Sequence, residues 1–137
     1  MSDMTLQDIS AAMKKLDICM LSTHAENGEI SGRPMSNNGE VEYGGTAYFF
    51  TEGDHRMVAE IEANPKVAQG YQSDDLYIQV QGHANLVRDK AQFQEHWNPD
   101  LDKWFPEGID TPDLVMIEIA GQRITYWAGR DEGEIKL

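Results

Sequence analysis

The chain has 137 residues, 40% of them hydrophobic, and a formal net charge of −13. That length suits one domain, and the charge argues against nucleic acid and anionic membrane surfaces, whose phosphates need stripes of Lys and Arg. With no run of about 18 apolar residues, no membrane-crossing helix is expected.

Residues 1–17 are largely polar and lack the charged-then-apolar order of a secretory signal. The single cysteine, Cys19, excludes an internal disulfide framework and suits a reducing compartment, so a cytoplasmic location is expected. Cys19 lies in an apolar run and reads as a small buried hydrophobe.

Apolar positions at Leu6, Ile9, Ala12, Met13 and Leu16 recur at helical spacing. Asp17 to Ser22 reads as a buried strand. Asn27-Gly28 then signals a hairpin whose returning strand, Ile30 to Met35, contains Pro34. Asn37-Asn38-Gly39 and Gly44-Gly45 mark further turns. Thr46 to Thr51 is an aromatic strand, broken at Glu52-Gly53-Asp54. A helix over Met57 to Asn64 follows, with Asp54 as the expected N-cap, Val58 and Ile61 on its buried stripe, and Pro65 ending it.

Lys66 to Gln72 reads as a strand and Ser73-Asp74-Asp75 as its turn. Leu76 to Val87 alternates most clearly: Ile78, Val80, Gly82, Ala84 and Leu86 face the core, while Tyr77, Gln79, Gln81, His83 and Asn85 face solvent, a partner or a cleft. A helix runs from Asp89 to about Trp97, then a short helical turn from Leu101 to Phe105. Strands are expected at Leu114 to Ile119 and at Arg123 to Trp127, with a polar, mobile tail from Gly129. Six or seven strands joined mostly by short turns predict an antiparallel barrel with peripheral helices.

The strand–turn–helix at residues 48–67 has the local form of an anion site, because helix-start N–H groups and the helix dipole point at the turn. Arg56 in the first helical turn is disfavoured by that dipole. It is either solvated or faces an anion such as a phosphate. The four histidines (His24, His55, His83 and His96) show no paired metal-ligand spacing, so no metal site is expected. No GxGxxG, phosphate-loop or GxSxG motif occurs, and no nucleophilic triad or carboxylate pair stands out. Trp97, Trp104 and Phe105 read as core. Trp127, ending a strand before Ala128-Gly129, is placed to cover a flat ligand at a barrel rim.

SGRPM (Ser31–Met35), YFFT (Tyr48–Thr51), NPKV (Asn64–Val67), YIQVQGHA (Tyr77–Ala84), HWNPDLDKWFPEG (His96–Gly108) and ITYW (Ile124–Trp127) follow one another in order. Together they resemble the flavin-binding general stress proteins related to pyridoxamine 5′-phosphate oxidase, over about Leu6 to Trp127. The resemblance implies a mainly β fold, an antiparallel split β-barrel with peripheral helices, as a single domain. It also implies a homodimer with FMN in clefts between the subunits. It places Arg33, Pro34 and Met35 along the flavin, Phe50 and Thr51 at the ring and ribityl chain, and His55-Arg56-Met57 at the phosphate. Gln79, Gln81 and Trp127 would close the pocket, partly from the second subunit.

Relatives commonly place Ser and Lys where this chain has His55 and Met57. Losing that lysine contact costs on the order of 1.5–3 kcal/mol. Arg56 and a protonated His55 would restore part of it, so weakened FMN binding is expected. The basic C-terminal substrate-phosphate pattern of the true pyridoxamine phosphate oxidases is missing from GRDEGEIKL, so vitamin B6 oxidation is not expected. Flavin-dependent oxidoreduction of a small substrate remains the leading reading, with no catalytic acid or base nominated. The alternatives are FAD or a deazaflavin in the same cleft, and a cofactor-free dimeric interaction module.

Overall fold

The computed structural model describes residues 3–36 and 42–137, so the Asn37-Asn38-Gly39 turn lies outside the described residues. Helix α1 (Leu6–Met13) opens with a capping box: the Thr5 hydroxyl accepts the Asp8 N–H, and the Asp8 carboxylate accepts the Thr5 N–H. Ile9 and Met13 carry its apolar stripe into the main core. The helix stops before Leu16, which packs only partly buried against that core.

Strands β1 (Ile18–His24) and β2 (Ile30–Ser36) form the expected hairpin. Gly28 sits in its turn at φ +85, a conformation that glycine adopts without strain. Next come β3 (Thr46–Glu52), α2 (Arg56–Ala63), β4 (Lys66–Gln72) and β5 (Leu76–Val87). Helix α3 (Lys90–His96) is capped by the Asp89 carboxylate, and 3₁₀ segments follow at Pro99–Lys103 and Gly108–Asp110.

Three local expectations are corrected. The N-cap of α2 is His55 rather than Asp54, and Arg56 is the first helical residue. The two strands expected after residue 113 are one strand, β6 (Leu114–Ala128). The register shifts between Gln81 and Gly82 of β5, whose partners are Arg123 and Gly121, so Gln122 is absorbed as a bulge and the strand continues. The tail folds as β7 (Asp131–Lys136), paired along β6 from Arg123 to Ala128.

The sheet order is β2-β1-β4-β5-β6-β3, with β7 on β6. β3 and β7 share one edge of β6: Thr46 pairs with Ala120, and Lys136 with Arg123. All the ladders are antiparallel. The sheet wraps around a core that includes Leu21, Val80, Ile117, Ile119 and Ile124. A second cluster, with Phe50, Phe93, Leu101, Phe105 and Met116, seats α3 and the first 3₁₀ segment against β3 and β6. The result is an antiparallel split β-barrel whose terminal strands in the sheet order are β2 and β3.

Candidate functional site

The split between β2 and β3 holds a cavity of about 570 Å³, within the range of small-molecule sites. Pro34, Met35 and Ser36 line it from β2, and Phe49, Phe50, Thr51 and Glu52 from β3. The β3–α2 turn adds Asp54 and His55, and the first 3₁₀ segment and the residues after it add Leu101, Trp104 and Phe105. Ile18 of β1 completes the rim.

The second aromatic cluster builds the far wall. Phe50 meets Phe93 and Trp97 edge-on at 5.9 and 5.0 Å, and Trp97 meets Phe105 at 6.1 Å. Trp97 Nε1 donates to the Asp102 carboxylate at 2.9 Å, which anchors the 3₁₀ segment. Trp104 is 59% exposed at the cavity, with the Lys103 ammonium 5.7 Å from its ring centre.

The predicted site residues divide by location. Pro34, Met35, Phe50, Thr51 and His55 come together in this cavity. Arg56 lines a different one, beside His24, Glu26 and Glu60. Met57 is 1% exposed and packs in the main core. Arg33 lies beside Pro34 in sequence, but its side chain is 16% exposed and its guanidinium is engaged elsewhere. It donates to Leu21 O, Thr23 Oγ1, Ser31 Oγ and Glu60 Oε1 at 2.9–3.1 Å. Gln79 and Gln81 line a third cavity with Lys66 and His83. Trp127 stands opposite Tyr77 in the β5–β6 ladder, 38% exposed.

His55 caps α2 through its ring: Nδ1 accepts the Met57 N–H at 3.1 Å. With Nδ1 engaged at the helix start, Nε2 is the ring's remaining polar atom. The Val58 N–H is also used, on the His55 carbonyl at 3.0 Å.

The residues present fit one half of the implied cofactor. Apolar walls, two sheet edges and an aromatic rim suit a flat ring. The turn offers a phosphate one imidazole flanked by Glu52 and Asp54. Ile18, Leu101 and Trp104 come from segments remote in sequence and were not nominated as site residues, although Leu101 and Trp104 lie in the HWNPDLDKWFPEG motif. That motif was the available signal for Leu101 and Trp104, and Ile18 had none. Among the described residues no group of three His, Cys, Asp or Glu is placed to hold a metal, and no helix is long and apolar enough to cross a membrane.

An open antiparallel barrel with a cavity at its seam defines the split-barrel class of the pyridoxamine phosphate oxidases and their relatives. The family model described as pyridoxamine 5′-phosphate oxidase like matches residues 4–137. General stress protein 26 of Bacillus subtilis (strain 168) is 31% identical over 144 residues, which span 98% of this chain and 99% of that protein. A crystal structure of a Clostridium acetobutylicum protein related to general stress protein 26 superposes with a TM-score of 0.84 at 20% identity, covering 96% of this chain and 94% of that one. The general stress FMN/FAD binding protein of Xanthomonas citri superposes with a TM-score of 0.76 at 25% identity, covering 92% and 89%. The chain belongs to the pyridoxamine 5′-phosphate oxidase-like family, among the general stress proteins.

Proposed function

We propose that this chain binds a flavin, with the isoalloxazine ring in the cleft between β2 and β3, and that two copies pair to complete the site. The observation that carries the reading is the cleft itself. It sits where two sheet edges meet, and Met35, Phe49, Phe50, Trp104 and Phe105 line it. Such walls bury a planar ring well, and backbone groups of β2 and β3 can hydrogen-bond its polar rim. FMN is the flavin that the family resemblance implies, and the Xanthomonas citri relative is described as binding FMN/FAD. A bound flavin supplies its own electron chemistry, and the protein orients it. Oxidoreduction of a small substrate is the activity this supports.

Pairing is supported by the outer sheet face. Ile18, Met20, Tyr77 and Trp127 are 38–51% exposed. Met20 lies beside Gly70, which pairs with Gln79, and Tyr77 lies beside Trp127. Ile18 also lines the cleft, so the face and the cavity are continuous. A second copy on this face would bring Gln79, Gln81 and Trp127 toward its neighbour's cleft.

The test is a visible absorbance spectrum of the purified protein, followed by flavin titration watched by flavin fluorescence. Saturable quenching supports the reading. A colourless protein that quenches neither FMN, FAD nor a deazaflavin would leave the cofactor-free interaction module as the account.

A further inference from the structure

We infer that this cleft selects its ligand by the ring and not by the terminal phosphate, so that riboflavin, the uncharged flavin, occupies it as well as FMN does. The inference rests on the flavin reading above and concerns what the site demands of the flavin. Among the described residues, no Arg or Lys side chain lines the cleft. Arg33 is held by four acceptors, one of them the Glu60 carboxylate, whose side chain is 6% exposed. Arg56 lies at another cavity. The Met57 side chain is in the core, and its N–H is taken by His55 Nδ1. His55 therefore has only Nε2 left to meet a ligand.

The surroundings are also adverse to an anion. Glu52 and Asp54 line the cleft at the β3–α2 turn. A third carboxylate, Asp113, lies against the same turn: a Cβ on Gly53 would stand 2.5 Å from Asp113 Oδ1. The Gly53 N–H donates to the Asp113 carbonyl at 2.8 Å, which fixes that segment beside the turn. A terminal phosphate carries about two negative charges near neutral pH. At an exposed rim each neighbouring carboxylate changes its affinity by about two- to fivefold. The ring, being neutral, meets none of this repulsion.

The experiment titrates the purified protein with riboflavin, FMN and lumiflavin at low and high ionic strength, and repeats the first two on Asp54→Asn and Glu52→Gln. Riboflavin is expected to bind within about threefold of FMN, and added salt to leave FMN affinity unchanged or to raise it. Each carboxylate substitution is expected to shift the FMN-to-riboflavin affinity ratio toward FMN by about two- to fivefold. FMN binding more than about thirtyfold tighter than riboflavin and weakening with salt would overturn the inference while leaving the flavin reading intact, because it would reveal a cationic phosphate site. An affinity ratio unmoved by both substitutions would also overturn it. No quenching of any of the three flavins would remove the flavin reading itself, and the inference with it.

Discussion

Arg33 and Glu60 meet at 3.0 Å, joining the strand that walls one side of the cleft to the helix whose start closes its end. Thr23 adds a hydroxyl donated to the same Glu60 oxygen at 2.6 Å. This buried network fixes the distance between β2 and α2, and thereby between Pro34-Met35 and His55. It also explains why Arg33, next to the cleft in sequence, is absent from its lining.

Removing one member leaves the other charge buried and unpaired. Arg33→Met is expected to cost about 3–5 kcal/mol of stability in urea unfolding. The double substitution Arg33→Met with Glu60→Leu is expected to recover much of that loss, because no lone charge remains. Equal loss in the single and double variants would show that the pair is not the source.

Gly82 sits where β5 meets the β6 bulge. A Cβ there would lie 2.7 Å from the Ala120 carbonyl oxygen and 2.9 Å from Ile119 Cγ2. Gly82→Ala is expected to cost about 1–3 kcal/mol through overpacking against a fixed strand. Gly44→Ala, with nothing within 4 Å of the added Cβ, is expected to change stability by less than about 0.5 kcal/mol. Thermal or urea unfolding of the two variants makes the comparison.

Much of this architecture is legible in the sequence, for physical reasons that also mark the failures. β4 and β5 take the expected limits because alternating burial is strong and Ser73-Asp74-Asp75 turns the chain sharply. β6 reads as two strands because Gly121-Gln122 has the composition of a break, whereas pairing with the continuous β5 carries the strand across it. β7 is hidden because its residues are mostly charged. Such a strand is held by its backbone ladder with β6, and an edge strand tolerates charge. At the site, the wall residues Pro34, Met35, Phe50 and Thr51 were legible from family-like motifs. The commitment of Arg33 to Glu60, 27 residues away, is a tertiary fact that no local pattern carries.

The interior makes the protein sensitive to alkali. Burial pushes the Cys19 thiol from 9.0 up to about 12, partly offset by a hydrogen bond with Tyr71. Burial also raises the Tyr43 hydroxyl from 10.0 to about 12. In the unfolded chain these groups lose protons from about pH 9 and 10 upward, but in the folded chain only near 12. Their contribution is therefore complete below about pH 9 and is lost as pH rises toward 12. Urea midpoints should fall steadily above about pH 9. Tyr43→Phe should reduce that fall. It should also stabilise the protein at neutral pH by about 1 kcal/mol, because the Tyr43 hydroxyl is buried without a hydrogen-bond partner among the described residues. A midpoint independent of pH up to 11 would contradict this picture of the core.

The outer sheet face predicts self-association. Sedimentation equilibrium should give two copies of the 15.5 kDa chain. Met20→Glu and Tyr77→Glu, both at half-exposed positions, should shift the population toward monomer by placing charge in an apolar contact. A wild-type monomer at tens of micromolar would remove the pairing and, with it, any contribution of Gln79, Gln81 and Trp127 to a neighbour's cleft.

The most direct measurement of the central claim is a crystal structure of the protein grown with riboflavin. The account predicts the ring between Pro34-Met35 of β2 and Phe50-Thr51 of β3, with Trp104 at its edge. Density for the ring elsewhere on the barrel, or an empty cleft at saturating ligand, would contradict it.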